Sequence, residues 1–294
     1  MHAGAVAASG PGGDSRRGYL KVKCRNVLII LNLPVLLECY VDFCKYRNTY
    51  GEKGTIDLSA ATWFCPTTLL PLGDFLSGLE KTKYMVPKDT NVRNYVTTIL
   101  ENEAKPHTKG GSYIPIMKAS KFDQTHSEII CDMISKDMTI NEKTAVKTAV
   151  GELLDNIDQH SFCASASFMA QRYEKLHVVE VAIFDNGITI PGSFRKSGKY
   201  GQVEDAEALR KAVGGFSTKP EDTRGHGLPT FLSVLTDALE GTALIVSGSS
   251  AYLKEKNNNE KLYSLDKKDG LDGTLIGMRI PLPMPKTDVY EYIK

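Results

Sequence analysis

The sequence lacks an apolar run long enough for a bilayer. Its longest apolar stretch, Val27 to Leu37, is broken by Asn32 and Pro34, whereas a membrane-spanning helix needs roughly 20 residues. A membrane is therefore not expected as a partner. Nor does one sign of charge dominate: 36 Lys+Arg face 35 Asp+Glu, a net charge of +1. A near-neutral chain projects no long-range field for phosphate. Nucleic acid is not expected as a partner, although a local basic patch stays open. Cysteines spaced C-x-x-C and Cys/His ligand clusters are missing. Cys24, Cys39, Cys44, Cys65, Cys131 and Cys163 read as reduced, buried or half-buried thiols, and a zinc site or disulfide framework is not expected. That usage points to the cytoplasm. Internal repeats are absent. The first residues, MHAGAVAASGPGGDSRR, lack the apolar core of a signal peptide and read as a disordered tail over 1–17.

What is present is ordinary for a globular protein. Of 294 residues, 41% are hydrophobic and 24% charged, enough apolar surface for a core. At about 150 residues per domain, the length suggests two.

Along 18–105, extended and helical patterns alternate. Residues 19–31 are rich in β-branched and aliphatic side chains and read as a strand. Pro34 opens a helical stretch, TIDLS (55–59) is a short strand, and Pro66 starts a second helix. KYMV (83–86) is another strand, followed by a helix over 90–103. This predicts a small α/β domain. Residues 106–121 are rich in Lys, Gly and Pro and read as a linker with some extended structure. From 122 to 285 helices come first, over 122–137 and about 141–160, the latter opened by the capping box Thr139-Ile140-Asn141-Glu142. Strands follow at 177–184, 242–249, 261–265 and 274–282, with Asn257–Asn259 as a hairpin turn. This predicts an α+β domain with an antiparallel sheet. Residues 286–294 read as a tail.

Four local signals carry chemistry. On the 141–160 helix, Val146, Val150, Leu153, Leu154 and Ile157 form an apolar face, while Glu152 and Asn156 stack one turn apart on another. Ile183-Phe184-Asp185-Asn186-Gly187 runs an apolar strand into a turn with an extra carboxylate. Gly214-Gly215-Phe216-Ser217-Thr218-Lys219 and Thr223-Arg224-Gly225-His226-Gly227-Leu228 cluster glycines before a helix. Such a turn exposes backbone N–H groups and the positive dipole end, which suits phosphate, and Lys219 and Arg224 add charge. Gly273-Thr274 opens the last strand. Each signal alone has a bland reading: a solvated helix face, a plain turn, a flexible loop.

In order and spacing, the set resembles the GHKL ATPase superfamily, which includes gyrase, heat-shock chaperone ATPases, histidine kinases and mismatch-repair ATPases. GELLDNIDQHS resembles its N box, FDNGITIP its first glycine box, GGFSTKPEDTRGHGL the lid end and second glycine box, and GTLIGMRIPLP the terminal strand. The resemblance covers about 122–284. It implies a Bergerat-type α/β sandwich, with a mostly antiparallel sheet covered by helices. It also implies ATP and magnesium as cofactors. Asn156 matches the magnesium ligand, and a carbonyl oxygen suits that hard cation. Glu152 matches the acidic residue that polarises water or assists an acceptor. Asp185 matches the carboxylate that accepts the adenine amino group, and Gly187 lets the backbone approach the base. Gly225 and Gly227, with the N–H groups around His226 and Leu228, would cradle phosphates. Thr274 matches the threonine that contacts adenine. Thr189 replaces the second glycine of the first box. Residues 192–224 would form an ATP lid around a short helix near 203–213.

Over 18–105, GTIDLSAATWFCPTTLLPLGDFL resembles the strand–turn–helix of STAS-type domains, without their usual D-S-S-G. Thr67 or Thr68 is then either a phosphoacceptor or a helix cap. His126 lies too close to the N box for a separate dimerisation hairpin and reads as a surface or capping residue. The implied activity is ATP hydrolysis or transfer of its γ-phosphoryl group in signalling or regulation. An anti-sigma-type serine/threonine kinase, a non-catalytic ATP-gated module and a nucleic-acid-remodelling ATPase are the alternatives. The Glu152–Asp155–Asn156 grouping leans towards hydrolysis. An unidentified protein partner is implied, and dimerisation is common in the resembled families, which makes a homodimer a candidate assembly.

Overall fold

A computed structural model describes residues 20–22, 33–79, 84–101, 112–136, 138–160, 163–218, 227–257, 259–285 and 288–292. The elements begin with strand β1 (Leu20–Val22), helix α1 (Val35–Lys53), strand β2 (Ile56–Asp57), helix α2 (Pro66–Ser77), strand β3 (Tyr84–Met85) and helix α3 (Thr90–Glu101). Strand β4 (Tyr113–Ala119) precedes helices α4 (Gln124–Ile134) and α5 (Ile140–His160). Strands β5 (Ala166–Tyr173) and β6 (Val178–Asp185) lead to three short helices, α6 (Ile190–Ser197), α7 (Asp205–Val213) and α8 (Gly227–Ser233). Strands β7 (Thr242–Gly248), β8 (Ser250–Glu255), β9 (Asn259–Leu265) and β10 (Leu271–Pro281) follow.

Among the described residues, eight strands form one sheet in the order β1-β9-β8-β7-β10-β6-β5-β4. Its pairings are antiparallel except that of β1 with β9 at one edge. The fold class is α+β, as expected. Side chains alternate across the strands, and both faces of the sheet are covered. Val179, Val181 and Ile183 of β6 point to one face, where they join Val150, Leu153, Leu154 and Ile157 of α5. Ala182 and Phe184 point to the other, where they join Leu36 and Tyr40 of α1 and Leu69, Leu70 and Leu72 of α2. Burying each of these large side chains contributes about 1.5–3 kcal/mol. The expected capping box opens α5: Thr139 N donates to Glu142 at 2.7 Å, and Glu142 N donates to Thr139 Oγ1 at 3.4 Å. His126 also takes its expected capping place, in a box with Asp123 at the start of α4.

The small domain expected over 18–105 does not stand apart. β2 and β3 contribute only two residues each, too little sheet to cover the apolar faces of α1 and α2. Those helices bury their apolar faces on the large sheet instead. Tyr40 donates to the carbonyl of Asp269 at 2.7 Å, and Arg47 donates to the carbonyls of Lys268 and Gly270 at 2.6 and 2.8 Å. The expected linker over 106–121 contains β4, which forms an edge of the same sheet through β5. The expected tail over 286–294 also differs: Tyr292 packs against the α5-side core. The expected tail over 1–17, and the strand reading for 23–31, lie outside the described residues.

Thr67 and Thr68 are buried, 0% and 3% exposed. Thr68 Oγ1 donates to the Cys39 carbonyl at 2.8 Å, and Thr67 lies against Gly277 of β10. The start of α2 faces the sheet, so neither threonine is accessible as a phosphoacceptor. Cys39 and Cys65 are paired as a disulfide with Cα atoms 6.5 Å apart, which corrects the expectation of reduced thiols for these two. Their pairing arises because α2 folds back along α1, a relation their spacing in sequence does not report. Among the described residues no helix is long and apolar enough to cross a membrane.

Candidate functional site

A cleft opens between α5 and the adjoining face of the sheet. It is partly open to solvent and lined mostly by apolar side chains with a few polar groups among them, as small-ligand sites commonly are. Leu153, Asn156 and Ile157 of α5 form one wall. Asp185, at the end of β6, and Thr274, its register partner on β10, form the floor. Leu228 and Pro229 of α8, residues of α6 and the segment after α7 complete the lining, and Gly215 of that segment lies beside Pro229.

Asp185 is the charged group buried in this floor, 2% exposed. Gly187 N donates to its Oδ1 at 3.0 Å. Burial pushes its carboxyl up to about 7, against the pull of the Gly187 N–H. Beside it, Thr274 and Ser247 share a hydrogen bond of 2.9 Å, and Ser247 Oγ accepts from Ile190 N at 2.8 Å. Gly273 permits this floor: φ is +112°, and a Cβ there would overlap the backbone of Asp185.

Thr189, expected in place of a glycine, has a glycine-like backbone conformation, φ 68° and ψ 158°. Such a conformation costs a branched residue of order 1–3 kcal/mol. Its side chain offsets part of that cost by capping α6, accepting from Gly192 N at 3.0 Å.

The expected lid over 192–224 is anchored for most of its described length. Asp205 at the start of α7 accepts from Ser249 N and Oγ, both at 2.8 Å, and from Arg195 at 2.7 Å. Burial raises its carboxyl, but these hydrogen bonds outweigh that effect and hold it below its ordinary value. Ala208 and Leu209 of α7 are fully buried. Ser193 and Thr218 share a hydrogen bond of 3.2 Å that joins α6 to the segment after α7.

Of the residues singled out in the sequence, Asn156, Asp185, Leu228 and Thr274 line this one cleft. Gly187 touches it through Asp185. Gly227 abuts the Asn156 side chain. Glu152 is exposed, one turn before Asn156 on α5, and does not line the cleft. Lys219, Arg224, Gly225 and His226 lie outside the described residues. Ser193, Phe194 and Phe216, which the sequence placed within the expected lid but not among the site residues, also line the cleft. The signal for α6 was present: Thr189 and Pro191 mark a helix start and Gly198 its stop.

Among the described residues no three His, Cys, Asp or Glu side chains gather around a metal position. Magnesium is commonly held by few protein ligands together with substrate phosphates and waters. The half-buried amide of Asn156 on the cleft wall fits that mode. Comparison with known proteins found no matching family model and no matching curated protein.

Proposed function

We propose that the chain is an ATP–magnesium-binding protein of GHKL type with a Bergerat-type sandwich. One observation carries the reading: Asn156, Asp185, Leu228 and Thr274, from four elements far apart in sequence, line a single cleft. One oxygen of Asp185 is held by the Gly187 N–H, leaving the other to accept the adenine amino group. Thr274 lies beside it for a second polar contact. The amide oxygen of Asn156 would hold the magnesium ion, which when bound neutralises phosphate charge. The start of α8 would serve the phosphate end, since a helix start favours anions. Glu152 orients water or an acceptor hydroxyl, giving ATP hydrolysis or γ-phosphoryl transfer by positioning more than by covalent chemistry.

A second reading, an ATP-gated interaction module without turnover, is favoured by the exposed position of Glu152 off the cleft lining. Incubation with γ-labelled ATP separates the two. Free phosphate or labelled protein, lost in Glu152→Ala with ATP binding retained, supports catalysis. Binding without either product supports the module. No ATP affinity by calorimetry with magnesium ends both.

A further inference from the structure

Phe216 is 54% exposed, yet its position is fixed. α7 ends in a Schellman motif: Gly215 takes φ +88°, Gly215 N donates to the Ala212 carbonyl at 3.1 Å, and Phe216 N donates to the Lys211 carbonyl at 3.0 Å. Lys211 Nζ sits 5.1 Å from the Phe216 ring centroid. Tyr200 meets the same ring edge-on at 6.2 Å, and its hydroxyl donates to the Ser217 carbonyl at 2.9 Å. Tyr200 in turn packs on Phe194 at 4.9 Å. Phe194 and Phe216 both line the cleft that contains Asp185 and Thr274.

A large aromatic ring left half in water forgoes burial energy, and here the backbone, a cation and a second ring hold it in place. A ring so held loses little conformational freedom when a flat partner docks on it. We propose that Phe216 is the stacking residue for the nucleobase of the bound nucleotide, a base-affinity determinant separate from Asp185. The inference rests on the ATP reading above and adds to it the group that grips the face of the base.

The test is calorimetry on the full chain with Mg-ATP and with magnesium tripolyphosphate, which has no base. Phe216→Ala lowers ATP affinity about 5- to 150-fold, the range expected for one base–aromatic stack, and leaves tripolyphosphate affinity unchanged. Phe216→Leu, which keeps apolar bulk without a flat face, shows the same selective loss. Phe216→Trp retains ATP affinity, and its emission is quenched by ATP beyond the change seen in wild type, whose single tryptophan is Trp63. Should Phe216→Ala fail to fold, the leucine and tryptophan variants decide. Unchanged ATP affinity in the leucine variant, or equal losses for ATP and tripolyphosphate, overturns the proposal. Failure of the underlying reading looks different: wild type itself binds no ATP, and both fall.

Discussion

The side-chain amide of Asn156 on α5 lies directly against the Cα of Gly227 at the start of α8, so that a Cβ at position 227 would overlap it. The proposed metal ligand and the proposed phosphate turn therefore share one contact. Gly227→Ala forces the Asn156 side chain to move. The expected result is a loss of Mg-ATP affinity of about tenfold, with a stability cost of about 1–3 kcal/mol for the added methyl group. Calorimetry and urea melts check the two parts, and full affinity in a folded variant would remove Asn156 from the site.

Asp185 gives a pH-dependent prediction. Its folded-state pKa, about 7, lies above its ordinary 3.8, so its protonated form is favoured by folding. The stability tied to that carboxyl is full below about pH 4 and is lost as pH rises through about 7. Asp185→Asn removes the charge, and its melting temperature rises relative to wild type at about pH 8 but not at about pH 4. The same variant binds ATP at least about tenfold more weakly. The Gly187 N–H retains the amide oxygen and the amide NH2 meets the adenine amino group donor to donor. A melting difference independent of pH would contradict the burial of this charge.

Docking of α2 on the sheet is tested at Gly277. A Cβ there would come 2.7 Å from Thr67 Oγ1, so Gly277→Val pushes α2 away from β10. The expected cost is about 1–3 kcal/mol or more, read as a lower urea midpoint. Wild type should unfold in one transition, because both cores share the sheet. Two separate transitions would indicate that α1 and α2 melt as an independent unit.

On the same face, Glu180 is fully buried and pairs with Arg279. Burial pushes its carboxyl up to about 7, against the pull of Arg279. Arg279→Met leaves a buried carboxylate unpaired, at a cost of about 3–5 kcal/mol. Raised pKa again means stability present at low pH and lost as pH rises through about 7, so the deficit of Arg279→Met is largest above that pH. Adding Glu180→Gln recovers much of it. Thermal melts across pH show this, and a pH-independent deficit would rule out the ionised carboxylate as its cause.

The elements that reach the site were legible because each carries a local period or cap. The apolar stripe of α5, the capping box at Thr139 and the end of β6 at Asp185 are short-range signals. The α+β class followed from them. β5 and β8 were missed: ASFMAQRY and SAYLKE are buried on both faces of a covered sheet, so they show no clear alternation. The division at 106–121 failed for a related reason. Lys, Gly and Pro around β4 look like a linker, and nothing local in α1 or α2 reports that their apolar faces are covered by strands more than a hundred residues later. The conformation of Thr189 was equally invisible, because threonine gives no sign of a glycine-like backbone.

The clasp between α1 and the turn before β10 sets an order in time. Tyr40 and Asp269 are 229 residues apart. At a synthesis rate of about 5–20 residues per second, roughly 10–50 seconds pass between the two leaving the ribosome. By its end Leu36, Leu37, Leu69 and Leu70 have long been made, but β10, which will help to cover them, has not. The helices α1 and α2 are thus covered late, and in that window holding chaperones and aggregation compete for the same leucines.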